Sequence, residues 1–204
     1  MVYIDDLAFL LFSITIASFF ILYTIASIYL SYKRDQKSLA DCIRDATGPM
    51  ILIGSYFIVV GAWGQFTWSL PGSYNILFYD PLVAFGMVLL AFAIAGRYGG
   101  RLDYAGFLGF MFGIMTIIYG HDGFTAGLTQ LPLALLGMYA FYGLAGVFSF
   151  PLSLKVEILI GTKKSLSTPG LIIFALFFLS LLAGSLISGY IAILAIQGHL
   201  LSPP

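Results

Sequence analysis

The chain has 204 residues, 60% of them hydrophobic and only 9% charged, and its nine basic side chains balance nine acidic ones to a formal net charge of zero. With a mean hydropathy of +1.01 it carries too little polar surface to stay in water, so the sequence reads as an integral membrane protein. Its single cysteine, Cys42, excludes an intramolecular disulfide and a Cys/His metal cluster.

The predicted fold class is all-α: a polytopic membrane protein of six transmembrane helices in one helical-bundle domain, residues 1–204. The start, Met1-Val2-Tyr3-Ile4-Asp5-Asp6, lacks the basic residue and small-residue cleavage site of a signal peptide, so the first span, 7–32, is expected to be retained. A charged stretch, 33–47, follows and reads as a short interfacial helix or a loop. The later spans are predicted at 49–68, 81–96, 104–119, 131–154 and 169–196. At ~1.5 Å per residue most of these cross a ~30 Å hydrocarbon core. The third and fourth are short, which implies a thinned bilayer, helices that run on into the loops while Arg97 and Arg101 snorkel, or a hairpin that only partly spans. Helix starts are marked by a capping or turn residue before a proline in Thr47-Gly48-Pro49, Asp80-Pro81, Gln130-Leu131-Pro132 and Thr168-Pro169. Asp80 and Asp103 are therefore expected as helix N-caps. The apolar runs are of helix length and lack two-residue alternation, so strands are not expected.

Every lysine and arginine falls within 33–47, 97–103 or 155–167, which are alternate connections of the chain. By the positive-inside rule these loops are cytoplasmic in a plasma membrane, and both termini face the outer side with the loops around Asp80 and His121. Such basic residues serve as topology signals and contacts to anionic membrane lipid, which argues against nucleic acid as a partner. Leu52-Ile53-Gly54-Ser55-Tyr56 in the second span is echoed by Leu135-Leu136-Gly137-Met138-Tyr139 in the fifth, which raises a 3+3 inverted repeat.

Small residues recur at packing intervals, as in Gly109-x-x-x-Gly113, Gly143-x-x-Gly146, Gly184-x-x-x-Ser188 and Ser185-x-x-x-Gly189, and let helix backbones approach. In the first span Ser13, Ala17, Thr24, Ser27 and Ser31 share a face, for interhelical hydrogen bonding or a pore. No ionisable side chain is expected near the middle of a span, which removes the machinery of ion-coupled pumps and voltage sensors. What remains is uncharged and aromatic. Tyr56, Trp63, Gln65, Trp68, Tyr139 and Tyr142 are the candidate pore lining, with Glu157 either an inner-mouth residue or an ion-pair partner of Lys155. Trp68, Tyr74, Tyr79, Tyr98, Tyr104 and Tyr119 also suit interfacial anchoring. His121, with Asp122 beside it, and His199 are outer-face residues that suit no specific role, a pH-sensing role, or ligation of an outer-leaflet haem b.

The stretch Gly64-Gln65-Phe66-Thr67-Trp68-Ser69-Leu70-Pro71-Gly72-Ser73-Tyr74-Asn75-Ile76-Leu77-Phe78-Tyr79-Asp80-Pro81 resembles the signature of an uncharacterised, largely archaeal family of six-helix membrane proteins, a resemblance that implies no activity. More distantly, Val156-Glu157-Ile158-Leu159 with Gly161, Lys163, Thr168, Pro169, Leu171, Ile172 and Ile173 is similar to the urea and short-chain amide channels. That likeness implies a ring-forming homo-oligomer conducting a small neutral solute. The second pore glutamate of those channels has no counterpart in Ile173-Phe174-Ala175-Leu176. The leading expectation is thus a passive channel for a small uncharged solute, without cofactor. The alternatives are a non-catalytic subunit of a larger, respiratory-type membrane complex, docked to partner membrane subunits, and a haem- or quinone-binding protein. No nucleophile, base and orienting acid suggest an enzyme.

Overall fold

A computed structural model describes residues 6–34, 38–160, 162 and 166–201; residues 1–5 and, from the basic loops and the channel-like stretch, Asp35, Lys37, Gly161, Lys163 and Lys164 lie outside the described residues. The fold is all-α, with no strand among the described residues. Its helices are α1 (Asp6–Arg34), α2 (Leu39–Asp45), α3 (Thr47–Thr67), α4 (Tyr74–Tyr98), α5 (Leu102–Thr125), α6 (Pro132–Leu159) and α7 (Thr168–Leu201). All but α2 are long and apolar enough to cross a membrane, so the chain is a multi-pass membrane protein.

The spans pack in the order α3, α4, α5, α6, α7, α1, each against the next. Lipid supplies no hydrophobic drive between helices, so the contacts depend on backbones that come close enough for van der Waals packing. Along α3 and α4, a Cβ on Gly86 would stand 2.8 Å from the Gly54 carbonyl oxygen. Along α5 and α6, a Cβ on Gly113 would lie 2.6 Å from the Gly143 carbonyl and 2.8 Å from the Val147 nitrogen. Gly109, Gly113, Gly143 and Gly146 of the predicted packing motifs all fall in this second contact.

The charged stretch after the first span holds α2, a seven-residue helix whose N-cap, Ser38, accepts from the Asp41 backbone N–H. Its Ile43 packs on Gly96 near the end of α4. Tyr32 near the end of α1 donates to the Thr162 carbonyl, and the Leu102 N–H at the start of α5 donates to Glu157 Oε1 on α6. These links gather Lys33, Arg44, Arg97, Arg101 and Lys155 at one end of the bundle.

The third and fourth spans run on into the predicted loops, one of the expected alternatives: α4 has 25 residues and α5 has 24. Pro81 and Asp80 sit inside α4, so Asp80 is not an N-cap. Asp103 is likewise inside the first turn of α5, where it pairs with Arg101, which occupies the N-cap position; this contact raises the Arg101 guanidinium further above its ordinary pKa. Pro132 stands at the start of α6 as expected, but neither α3 nor α6 has a side-chain cap. α5 runs through His121 and Asp122, and α7 runs through His199, so neither histidine follows its helix as a loop or tail.

Glycine in a helix ordinarily costs up to ~1 kcal/mol relative to alanine, yet the contact at Gly113 reverses the sign. Gly113→Ala should lower the thermal midpoint in detergent, by the equivalent of ~1–3 kcal/mol, because backbone atoms of α6 cannot yield. Gly48→Ala, with nothing within 4 Å, should leave it unchanged or raise it. Equal effects would contradict the close-packing account.

Candidate functional site

The spans surround a cavity of about 900 Å³, which is near the top of the usual ~300–1,000 Å³ range of ligand sites. From α1 it is bordered by Ile14 through Lys33, and from α4 by Phe78 through Phe92. Leu39 and Ile43 of α2, Leu159 of α6 and Leu166 border it at the basic end. It therefore extends from the interior of the bundle to the end where the basic residues gather.

Away from the basic end, the cavity stops at a set of hydrogen bonds between helices. Proline has no N–H, so Pro81 leaves the carbonyl four residues earlier, that of Leu77, without its helical partner. The Tyr139 hydroxyl of α6 donates to that carbonyl. Tyr139 is 4% exposed and Leu77 5%, so water cannot substitute. One turn along α6, the Tyr142 hydroxyl lies 2.9 Å from Ser188 Oγ and accepts from Ser18 Oγ at 3.2 Å. Ser188 also lies 2.8 Å from Thr15 Oγ1, so α1, α6 and α7 meet at one buried hydroxyl cluster. Of these the sequence points only to Tyr142 as a site residue. Ser188 figured there as a packing residue; Thr15 and Ser18 carried no local signal.

The turn between α3 and α4 closes the same end of the bundle. Trp68 takes a left-handed φ of 52° and ends α3. Asn75, 1% exposed, donates to the Gly64 carbonyl and accepts from the Leu70 N–H, and the Tyr79 hydroxyl lies 2.7 Å from Ser69 Oγ. A Cβ on Gly64 would fall 2.2 Å from the Tyr79 ring. The signature stretch 64–81 is thus largely a folding device. Asp80, inside the helix, accepts from Gln65 Nε2 on α3 and from the Tyr119 hydroxyl on α5, each at 2.8 Å, so its carboxylate fastens three helices.

The residues expected to line a pore separate. Tyr139 and Tyr142 border the cavity; Tyr56, Trp63, Gln65, Trp68 and Glu157 are not among its lining residues. Trp63 and Trp68 are 49% and 53% exposed, Gln65 serves Asp80, and the buried Tyr56 hydroxyl has no hydrogen-bond partner among the described residues. Glu157 forms no ion pair with Lys155 among the described residues and instead holds the first N–H of α5. Of the expected interfacial aromatics, Trp68, Tyr98 and Tyr104 are exposed, whereas Tyr74, Tyr79 and Tyr119 are tied internally, to Leu128, Ser69 and Asp80. His121 is exposed near the end of α5, 3.1 Å from Asp122. The side chain of His199 lies outside the described residues.

These features define a six-span helical membrane protein built around an intramembrane cavity. The chain belongs to the family described as Protein of unknown function (DUF981), whose model matches residues 1–202. No curated protein and no solved structure matches it.

Tyr139→Phe leaves a buried carbonyl unpaired and should cost ~1–3 kcal/mol in detergent unfolding. In a Pro81→Ala background, where the helix recovers its own bond to Leu77, the same substitution should cost less than half as much. Additive effects of the two changes would show that the Tyr139 bond does not compensate for the proline.

Proposed function

We propose that this protein binds a lipophilic molecule within the bilayer, held in the 900 Å³ cavity and admitted at the basic end. We take that end to be cytoplasmic, since basic residues concentrate there. The observation that carries the reading is where most of the polar side chains of the lining spend their protons. Thr116 donates to the Phe112 carbonyl, Ser149 to those of Gly106 and Gly146, Ser153 to that of Phe150, and Thr47 to that of Arg44. Tyr139 donates to Leu77. What faces the space is therefore mainly carbon, including Phe85, Leu89, Phe92 and Phe177. A small polar solute entering it would lose hydration without equivalent donors in return, at a cost of ~2–7 kcal/mol per unpaired polar group. A hydrocarbon chain incurs no such cost and gains the contacts that an empty cavity forfeits.

Purified protein should carry a co-isolated lipophilic molecule, detected by native mass spectrometry and identified after organic extraction. Ala145→Phe, which places a ring in the cavity, should abolish it while leaving helix content and monodispersity unchanged. Protein free of bound molecules, or retention in the variant, would contradict the reading. Urea flux into proteoliposomes above protein-free vesicles, blocked by Ala145→Phe, would instead establish a conduit for small neutral solutes.

A further inference from the structure

Resting on the apolar-ligand reading above, we propose that the occupant is an anionic lipid, its hydrocarbon in the cavity and its phosphate or carboxylate headgroup against Lys33. Lys33 is an exposed residue of the last turn of α1 that also borders the cavity. It stands with Tyr29 and Tyr32 on the same two turns, its Nζ 5.9 Å from the centre of the Tyr29 ring. The amine thus lies near an aromatic face beside the cavity, an arrangement that leaves its protons free for an anion.

Three carboxylates of this end are already engaged. Asp41 accepts from Arg44 and from Ser38, Asp103 accepts from Arg101, and Glu157 accepts from the Leu102 N–H. Among the described residues none pairs with Lys33. Among the described residues the mouth therefore presents a cation with no carboxylate partner, directly beside an apolar volume. Leu39 and Ile43 of α2 also border the cavity, while Asp41 and Arg44 of the same helix pair with each other. An amphiphile with a single negative headgroup matches that succession of charge and hydrocarbon. A zwitterionic headgroup would bring a second cation beside the amine, and a neutral lipid would leave Lys33 without a partner.

The test is competition between lipids for the full-length protein. Delipidated protein is given equimolar phosphatidylglycerol and phosphatidylcholine of identical chains, and native mass spectrometry reads the bound ratio. Phosphatidylglycerol should be favoured about fivefold at low salt, as one lysine beside an anionic headgroup implies. Lys33→Gln should bring the ratio close to one, and Lys33→Arg should preserve it. Equal binding of the two lipids by the native protein, or an unchanged preference in Lys33→Gln, overturns the assignment of Lys33 but leaves the apolar site standing. Binding of neither lipid, or binding that Ala145→Phe does not diminish, removes the cavity reading itself and this inference with it.

Discussion

One hydrogen bond, from the Tyr139 hydroxyl to the Leu77 carbonyl, lets α4 continue through Pro81. Inside a membrane every backbone carbonyl must be satisfied by the protein, because hydrocarbon offers no donor. Without Tyr139, a proline eight residues into a 25-residue span would leave an unpaired acceptor in a dry interior. With it, α4 reaches back to Tyr74 and brings Asn75, Tyr79 and Asp80 into the bundle. Those three side chains then fasten the turn after α3, the end of α3 itself, and α5.

The same bond gives the cavity its closed end. Tyr139 and Phe78 border the space there, and the cluster of Thr15, Ser18, Tyr142 and Ser188 joins α1, α6 and α7 close by. At the other end α2 packs on α4 and basic side chains gather. Close glycine contacts hold α3 to α4 and α5 to α6, so the open volume lies between pairs that are themselves tightly packed. Polar bonds at one end and Lys33 at the other bound a lining that is mostly carbon.

The six spans were legible because length and apolar composition suffice to identify them. Their ends were less so. Asp80-Pro81 reads locally as a cap followed by the first residue of a helix, and only a tyrosine 58 positions beyond Pro81 makes an interior proline tolerable. His121 fell outside its predicted helix for a related reason. Gly120 and Gly123 resemble a stop, yet α5 continues because those glycines pack against Tyr139 on one side and Leu135 and Leu77 on the other. The site was only partly legible. Polar side chains were chosen as lining because polarity is what a sequence displays, and it does not show where a hydroxyl sends its proton. Of those residues, Tyr139 and Tyr142 border the cavity. Gln65 stands out by its polarity, but its partner Asp80 reads in the sequence as a cap.

The central claim is that the cavity is a hydrocarbon environment rather than a water-filled passage. It can be tested directly with one thiol placed inside it: Val88→Cys on α4, in a Cys42→Ala background that removes the native cysteine. In membranes, the account predicts that a charged, membrane-impermeant methanethiosulfonate added to both faces does not modify this position, although it does so once the protein is unfolded in detergent. Rapid modification by the charged reagent would mean that water fills the cavity, and the account would be wrong.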